Sequence, residues 1–384
     1  MTSTTTRIAT VSIVHEDGHE AAKEAAIELM DQLGRAPDVV LVFYSAEYSE
    51  EAVAAGFWTE FPRTTTLVGC SAVAELGPDG ALTHSVSALG MCLSGFRARA
   101  LSIEGGSDGY AAGRALVAPL GEKRPDLIIL LPDVLTLNAT QVLRGIQSVF
   151  GADVKVIGGG PADMGALAKT TMIANQATQS AGAVALALYG PITLSAAARS
   201  GYTPVSTPLS MTRAERGNVV LEIDGKPALS AYLDILGPRR DQMPGVTVEY
   251  PIGIVHSGTA EPDLVRAVFG IDKERNALIL GGDIPSTGEL RILGAGRADV
   301  VAGARSALET ALAAMQHPDL ILVFSCISRR VILGPRYKEE CAVLPANVPR
   351  LGFYTFGELS PVAGVTQHHE STFTIAAIRF GNAA

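Results

Sequence analysis

Three short apolar runs, each introduced by a Pro-Asp pair, set the pattern of hydrophobic and polar positions along the chain. They read PDVVLVFYS from Pro37, PDLIILLPD from Pro125 and PDLILVFSC from Pro318. Each run is followed by a stretch compatible with a helix and then by a second apolar run, which reaches a glycine roughly 33 residues after the proline. That length suits a strand, a crossover helix and a parallel strand, so the pattern predicts three βαβ units.

A further apolar segment follows each of these units, and the three segments read VSALGMCL, GAVALALYG and STFTIAAIRFG. They favour additional strands beside the parallel pairs, and therefore mixed sheets. Apolar residues also recur at helical spacing in four stretches, which predicts helices over 20–33, 50–60, 139–149 and 299–315. Together these patterns predict an α/β protein with mixed sheets built from repeated βαβ-type units.

The middle of the chain breaks this pattern. Prolines and polar residues interrupt the segment YTPVSTPLSMTRAERGN, which ends at Asn218. A chain of 384 residues, of which 47% are apolar, is long enough for two domains with separate cores. We therefore predict a domain boundary near Asn218, with one α/β domain over 1–218 and a second over 219–384.

Charge and composition narrow the classes of partner. A net charge of -9, without a cluster of Lys or Arg, argues against binding to nucleic acid or to an anionic membrane. The longest apolar runs are far shorter than the roughly 20 residues of a transmembrane helix. The N-terminal residues lack the apolar core of a secretory signal, and the four cysteines show no CxxC spacing. The sequence thus predicts a cytoplasmic protein with reduced, buried thiols.

Small and polar residues follow the predicted strands at the edge of the sheet where ligands usually bind. In open sheets, ligands lie beyond the carboxyl ends of parallel strands. The candidate ligand-binding residues at such positions are Ser45, Gly69, Cys70, Ser71, Asp133, Gly159, Ser325, Cys326, Tyr354 and Gly357. The alternative for each of them is an ordinary role in turn geometry, for which Gly and Ser are also favoured.

Two of the strand exits share a longer pattern. Gly69 precedes Glu75 by the same interval at which Gly352 precedes Glu358. The match favours a true duplication, in which the two carboxyl groups are candidate polar contacts of a ligand. The aromatic residues around Tyr354 would then pack against a flat ligand or cover the interface between the two domains.

Signatures of catalysis are weaker. Cys70 would act as a nucleophile only if the fold supplied a histidine and an oxyanion site, so a Cys-dependent hydrolase or transferase is the enzymatic alternative. The run IGGGPADMG from Ile157 lacks the spacing of a phosphate loop. The GGDIP sequence from Gly281 lacks the acidic pair of a metal-dependent cyclase. We therefore predict a non-enzymatic protein.

Histidine is the residue type that would hold a haem iron or another metal. His256 follows the apolar run YPIGIV, and His368 and His369 precede the last predicted strand. Because neighbouring residues on a strand point to opposite faces, at most one of the latter two faces a given pocket. The candidates for a haem axial ligand are His369 and His256.

These segments carry a resemblance that extends over almost the whole chain. The N-terminal domain of the FIST family of bacterial sensory proteins is similar to PDVVLVFYSAEY, FPRTTTLVGCSAVAELGPDG, KVIGGGPAD and GAVALALYG. The C-terminal domain of that family is similar to VVLEIDGKPALSAYLDILG, YPIGIV, LILGGDIPSTGELRILGAGRADVVAGA, PDLILVFSC and LGFYTFGELSP. The chain departs from the family pattern at Ala72, Val73 and Ala74 and at Glu370, which stands after His369 where the family often has asparagine.

The resemblance implies a FIST N-like domain over 1–218 and a FIST C-like domain over 219–384. It implies a module that binds a small-molecule ligand and passes its state to a signalling protein such as a histidine kinase. For some members it also implies haem, nitric-oxide sensing and control of a histidine kinase or a cyclic-dinucleotide enzyme. On this chain, the YTFGE segment with Gly357 would line the pocket, and Glu75 or Glu358 would orient polar groups. The sequence contains no kinase, cyclase or chemoreceptor segment, so we expect the output to pass through a partner protein.

Overall fold

Three mixed sheets of six strands and one antiparallel sheet of nine strands form the described part of the protein. The computed structural model describes residues 6–215, 217–243, 245–255, 264–286 and 288–381. Strands β1 to β13 are, in chain order, Arg7–Val14, Val39–Ser45, Thr66–Ala72, Glu75–Gly77, Gly80–Leu82, Ser85–Cys92, Arg97–Ile103, Leu127–Pro132, Val156–Gly159, Met172–Ala174, Ala177–Gln179, Ala183–Tyr189 and Ile192–Arg199. Strands β14 to β27 are Thr203–Pro204, Leu209–Glu215, Val219–Ile223, Lys226–Pro227, Ile252–Val255, Leu264–Arg266, Val268–Asp272, Ala277–Leu280, Gly288–Gly294, Leu320–Cys326, Arg350–Thr355, Glu358–Val362, Val365–His369 and Phe373–Phe380.

The α-helices lie largely where the hydrophobic periodicity predicts them. Helices α1 to α7 are Gly18–Leu33, Glu50–Glu60, Gly109–Val117, Ala139–Phe150, Ala228–Leu236, Arg297–Ala314 and Ile327–Leu333. The four predicted helices are confirmed as α1, α2, α4 and α6, and side-chain caps explain the starts of α1, α2 and α4. Asp17 accepts hydrogen bonds from the backbone of α1, and Asn138 accepts one from Gln141 N in α4. Across the described residues, no helix has both the length and the apolar character needed to cross a bilayer.

Each Pro-Asp run forms a strand that pairs in parallel with the strand after the next helix. The parallel pairs are β2 with β3, β8 with β9, and β23 with β24. An antiparallel strand from the later apolar segments, β6, β12 or β27, lies on the other side of the first strand of each pair. The predicted βαβ units and mixed sheets are therefore confirmed, and we name them unit 1 (7–92), unit 2 (97–189) and unit 3 (192–199 with 297–380).

Each of the three sheets is completed by a hairpin from a different unit. Unit 1 donates β4 and β5 to the edge of β24 in unit 3, and unit 3 donates β25 and β26 to the edge of β9 in unit 2. Unit 2 donates β10 and β11 to the edge of β3 in unit 1. The exchange is cyclic, so every six-stranded sheet contains four strands of its own unit and two of another.

The fourth sheet is an insertion in unit 3. In units 1 and 2 the first strand leads directly to a helix, whereas β13 and α6 are separated by the residues of the nine-stranded sheet, which we call the inserted sheet (203–294). The predicted boundary at Asn218 lies in the connection between β15 and β16 of this sheet. Two of the three six-stranded sheets, the one that contains β8 and the one that contains β23, also combine strands from the two sides of that boundary.

The repeated glycines allow the parallel strands to approach closely. A Cβ atom on Gly69, Gly158 or Gly352 would overlap the backbone carbonyl oxygen of its partner in the neighbouring strand, which is Val42, Leu130 or Val323 respectively. The obstacle is backbone in every case, so rotation of a side chain cannot relieve it. The close approach of the strands therefore explains all three glycines, including Gly69, which was a candidate ligand-binding residue.

The main apolar core lies where the three units meet. It contains Phe43 of unit 1, Leu131 of unit 2, and Phe324 and Phe353 of unit 3, all at most 1% exposed. The rings of Phe43 and Phe353 stack with centroids 4.2 Å apart, and Phe324 meets Phe353 edge-on at 5.9 Å. The centre of the molecule is therefore filled by side chains, and a ligand site has to lie further out.

Candidate ligand-binding cavity

A cavity of about 550 Å³ lies between units 2 and 3 and the inserted sheet. The loop after β8, the first turn of α7 and the turn between β24 and β25 form one side, and the inserted sheet forms the other. The described lining residues are Val134, Leu135, Thr136, Leu137, Asn138, Gly165, Leu167, Asn218, Gly245, Thr247, Val248, Ala267, Val268, Phe269, Ile279, Leu280, Gly281, Cys326, Ile327, Ser328, Val331, Phe356, Gly357 and Glu370. Most of them are apolar, so the wall favours an apolar ligand surface.

Exposed apolar side chains also surround this cavity. Leu167, Phe269 and Val331 line it and are 45%, 44% and 55% exposed. They come from three different parts of the fold, the β9–β10 loop, the inserted sheet and α7. Large exposed apolar side chains that converge on a cavity are typical of a binding site.

A buried carboxylate holds Leu167 in place. Asp163 accepts hydrogen bonds from the backbone N–H groups of Gly165 (2.8 Å), Leu167 (3.1 Å), Ala168 (2.6 Å) and Lys169 (3.3 Å). These bonds fix the loop with Leu167 at a φ of 52°, a left-handed conformation that is unusual for a leucine. The loop is therefore specified by Asp163, and it directs an apolar residue to the cavity.

The loop after β8 is organised in a similar way. The Asp133 carboxylate accepts from Leu135 N (3.1 Å), Thr136 Oγ1 (2.6 Å) and Thr170 Oγ1 (2.8 Å). Asp133 itself is 1% exposed and does not line the cavity. It positions the neighbouring residues from Val134 to Asn138, which do.

Glu370 brings a carboxyl group to the cavity wall. Its Oε2 accepts a hydrogen bond from Ala267 N at 2.8 Å, and the residue is 5% exposed. Burial raises the pKa of Glu370 to about 7, and the nearby Arg266 guanidinium opposes the rise. The carboxyl packs so closely on Gly281 that a Cβ at that position would overlap Oε1.

A thiol and a hydroxyl lie together on the unit 3 side. Cys326 ends β23, and Ser328 follows in α7. Burial, together with the charge of Glu358, raises the pKa of the Cys326 thiol to about 12. The Ser328 hydroxyl is buried and has no hydrogen-bond partner among the described residues. A buried hydroxyl without a partner is costly, and a ligand or a water molecule would satisfy it.

Two of the strand-exit residues proposed from the sequence, Cys326 and Gly357, line the cavity, and Phe356 of the YTFGE segment joins them. Tyr354 instead packs in a separate apolar core and donates its hydroxyl to Tyr337 O at 2.9 Å. Of the aromatic residues in this segment, Phe356 therefore lines the cavity, whereas Tyr354 and Phe353 do not.

The candidates around β3 have other contacts and do not line the cavity. Cys70 is fully buried in the central apolar core, where burial raises the pKa of its thiol well above the usual value. Ser71 donates to Ala162 O and accepts from Thr171 N, both at 3.0 Å. The Ser45 hydroxyl accepts from Glu47 N at 3.4 Å. These contacts are structural.

Glu75 and Glu358 occupy equivalent positions at the start of two donated hairpins. Glu75 lies opposite Phe353, and Glu358 lies opposite Gly159. Ser85 Oγ donates to Glu75 Oε2 at 2.5 Å, and Thr372 Oγ1 donates to Glu358 Oε2 at 2.7 Å. Burial raises the pKa of the Glu75 carboxyl well above its usual range. The repeated glutamates thus tie each hairpin to its own unit, and a ligand in the cavity would not contact them.

Glu358 makes a testable contribution to the pH dependence of stability. Burial raises its pKa to about 8, above the ordinary value near 4.5, so the folded protein binds this proton more tightly than the unfolded chain. The resulting stabilisation is complete below pH 4.5 and is lost as pH rises through about 8. In Glu358→Gln the amide can donate to Thr355 Oγ1 and accept from Thr372. Because this amide does not titrate, the part of the alkaline loss of stability that Glu358 causes should be absent from the variant. Urea unfolding at about pH 5, 7 and 9 should show a shallower alkaline decline for the variant; equal pH slopes would contradict the assignment.

Of the two haem ligands expected from the sequence, the structure describes His369 and places it away from the cavity. His369 is 3% exposed, its Nε2 lies 3.3 Å from Ser360 O, and it does not line the cavity. Burial lowers the pKa of His369 to about 4. His368 is equally buried, with Nδ1 3.2 Å from Thr140 Oγ1, and its Nε2 packs on Gly357. His256 lies outside the described residues, and within them no cluster of His, Cys, Asp and Glu suited to a metal ion occurs.

Several cavity residues were not identified from the sequence as site residues. Glu370 was noted only because it departs from the family pattern, and Leu167, Ala267 and Phe269 carried no signal. Ala267 and Phe269 belong to the inserted sheet, which is distant in sequence from the other cavity residues, so no local sequence pattern could place them there. A charged residue beside two histidines near a strand end was the one available clue.

Comparison with known proteins places the chain in a family. The FIST N domain matches residues 38–226, and the FIST C domain matches residues 228–361. The chain belongs to the FIST family, whose domains are associated with sensory signal transduction. Its relatives include an uncharacterized protein of Mycobacterium tuberculosis, 26% identical over 378 residues, covering 94% of this chain and 96% of the relative. Another is an uncharacterized protein of Mycobacterium bovis, 24% identical over 376 residues, covering 94% of this chain and 95% of the relative.

Among solved structures the similarities are distant. A chorismatase matches with a TM-score of 0.34 and 9% identity, covering 97% of this chain and 98% of that chain. A cyanuric acid hydrolase from A. caulinodans matches with a TM-score of 0.35 and 8% identity, covering 98% and 99%. At this level of similarity neither activity transfers to the chain.

Proposed function

We propose that this protein is a non-enzymatic sensor that binds a small, largely apolar molecule and signals through a partner protein. The observation that carries the proposal is the cavity of about 550 Å³ between units 2 and 3 and the inserted sheet. Its volume lies within the range of roughly 300–1,000 Å³ that is usual for small-molecule sites. Its lining comes from three parts of the fold, so one ligand would contact all of them.

Contacts beside the cavity suggest how occupancy would change the protein. Asp283 of the inserted sheet accepts hydrogen bonds from Asn138 Nδ2 (2.8 Å), Arg144 Nη1 (2.7 Å) and the Gln141 side chain, which come from the N-cap and the first half of α4. These bonds join the inserted sheet to unit 2. A ligand that touches both sides would favour the joined arrangement and stabilise it by its own binding free energy. A signalling partner such as a histidine kinase, expected from the FIST resemblance, would bind across this junction.

The state of the thiols supports a binding role in the cytoplasm. Cys326 is the cysteine of the described lining, and its raised pKa of about 12 keeps it as a thiol, which is a poor nucleophile. All four cysteines of the chain are free and buried. Reduced thiols accord with a cytoplasmic location.

Filling the cavity should abolish ligand binding. Ala267 lines the cavity, and a phenylalanine there would occupy it while leaving the backbone bond to Glu370 in place. We expect the neutral dye Nile red to bind the wild-type protein with increased, blue-shifted fluorescence, and Ala267→Phe to weaken that binding at least about tenfold. Ala111→Phe, on the exposed face of α3, is the matched control and should bind like the wild type.

Equal dye binding by the two variants, or no binding by the wild type, would contradict the proposal. The haem-based alternative is separated by an absorption spectrum after addition of ferrous haem. A sharp protein-bound band that survives in Ala267→Phe and moves with nitric oxide would favour that alternative at a different site.

A further inference from the structure

Among the described residues, the positive and negative charges beside the cavity balance, and this limits the net charge of a ligand. Glu370 is the residue with a formal charge among the described lining residues. Behind it lies Arg266, which is 2% exposed and donates to backbone oxygens of Asp283 (3.0 Å), Val265 (3.2 Å) and His368 (2.9 Å). None of these three acceptors is charged. The guanidinium therefore needs a carboxylate nearby.

Glu370 supplies the carboxylate that compensates the positive charge of Arg266. The other acidic group close to Arg266 is Asp283, whose carboxylate oxygens already bind Arg144 Nη1 at 2.7 Å and Asn138 Nδ2 at 2.8 Å. Glu370 Oε2 accepts a hydrogen bond at 2.8 Å from the backbone N–H of Ala267, the residue that follows Arg266, so the two opposite charges lie close together. Among the residues that the structure describes, the two pairs, Glu370 with Arg266 and Asp283 with Arg144, leave no surplus charge on this side of the cavity.

A charged ligand would meet an unfavourable environment. An anion would face the Glu370 carboxylate, and a cation would compete with Arg266 for it. In an apolar cavity neither ion would recover the free energy of losing its water. An uncharged molecule avoids this cost and still benefits from the apolar wall.

Ser328 supplies one polar contact for such a molecule. The other polar lining side chains have partners: Thr136 donates to Asp133, Asn138 binds Asp283, and Asn218 donates to Leu280 O. Ser328 is 4% exposed, and its hydroxyl lies near the Tyr202 hydroxyl and the Cys326 thiol without forming a hydrogen bond of good geometry to any described residue. A hydroxyl can both donate and accept, so it would pair with an alcohol or carbonyl oxygen of a ligand.

Resting on the proposed function, we propose that the cavity selects an uncharged, largely apolar molecule that carries one hydroxyl or carbonyl oxygen, which the Ser328 hydroxyl binds. The Glu370–Arg266 pair acts as the filter against charged analogues.

Three probes that share one ring system test this selectivity. Indole-3-ethanol, indole-3-acetate and tryptamine carry a neutral, a negative and a positive group on similar short arms. In competition with Nile red at about pH 8.5, above the pKa of about 7 that burial gives Glu370, indole-3-ethanol should displace the dye from wild-type protein at a concentration about tenfold lower than either ion. Stronger competition by indole-3-acetate or tryptamine, or no competition by any probe while Nile red stays bound, would overturn the inference.

Two variants separate the polar contact from the filter. Ser328→Ala should weaken indole-3-ethanol binding about three- to tenfold and leave Nile red binding unchanged. Glu370→Gln keeps an acceptor for Ala267 N but leaves the positive charge of Arg266 without a nearby free carboxylate. The ratio of the affinity for indole-3-acetate to the affinity for tryptamine should therefore rise about tenfold or more. If Glu370→Gln had the same relative affinity for indole-3-acetate and tryptamine as the wild type, the Glu370–Arg266 pair would not be what excludes charged ligands. Loss of Nile red binding in the wild-type protein would instead refute the proposed function.

Discussion

Replacing Arg329 with methionine is expected to lower the free energy of unfolding by about 3–5 kcal/mol. The side chains of Arg329 and Glu340 are both 0% exposed, with Nε and Oε2 3.0 Å apart. Arg329 also donates Nη2 to Val300 O at 2.7 Å and Nη1 to Ser200 O, while Ser325 Oγ donates to Glu340 Oε1 at 2.8 Å. Methionine fills similar space but leaves a carboxylate buried without its cation, and that unpaired charge is the main cost.

Urea unfolding measures this effect, and the chain offers a matched control. Arg336 pairs with Glu339 in the same segment, but their side chains are 59% and 43% exposed. Arg336→Met should therefore cost less than about 1 kcal/mol. Adding Glu340→Gln to Arg329→Met should recover part of the lost stability, because it removes the stranded charge. A cost for Arg329→Met no larger than that of the exposed control would show that the buried pair is dispensable.

This ion pair also secures the inserted sheet. Ser200 follows β13 and Val300 lies in the first turn of α6, so Arg329 binds the chain on both sides of the insertion. We therefore expect Arg329→Met to weaken Nile red binding as well, even though Arg329 does not line the cavity.

Gly352→Ala is expected to lower the free energy of unfolding by about 3 kcal/mol, at the upper end of the usual range for overpacking. The added methyl group would overlap the carbonyl oxygen of Val323 in the adjacent parallel strand. Relief requires β23 and β24 to move apart at the centre of unit 3. Gly69→Ala should behave in the same way, because it meets Val42 O in unit 1.

A second strand glycine provides the comparison in chemical denaturation. Gly270 lies in β20, and a Cβ there would meet Ile279 at an ordinary 3.7 Å. Gly270→Ala should change stability by less than about 1 kcal/mol. If Gly352→Ala and Gly270→Ala had equal effects, close strand approach would not be the reason for the repeated glycine.

Much of the fold was accessible from local patterns. The Pro-Asp runs, the near-constant distance to a glycine and the helical periodicity specify the three units, because strands and helices of this kind follow short-range alternation and spacing. The pairing of hairpins between units was not accessible. β4 pairs with β24 across some 270 residues of sequence, and the short sequence ELG of β4 does not indicate which strand it pairs with.

The site was predicted less well for a related reason. The rule that ligands lie beyond strand ends led to Cys326 and Gly357, which do line the cavity. It led equally to Ser45, Cys70 and Ser71, because a rule about strand ends cannot tell which ends face the central core. In unit 3 the cavity is formed by the inserted sheet, so only the strand ends beside that insertion became part of it.

The cyclic hairpin exchange has a consequence for biosynthesis. Unit 1 and unit 2 are made first, yet the edge of β9 stays uncovered until β25 and β26 leave the ribosome. Contacts between such distant residues slow folding, and an open strand edge invites pairing with other chains. A chaperone would therefore have the most to shield while the residues between β9 and β25 are being made.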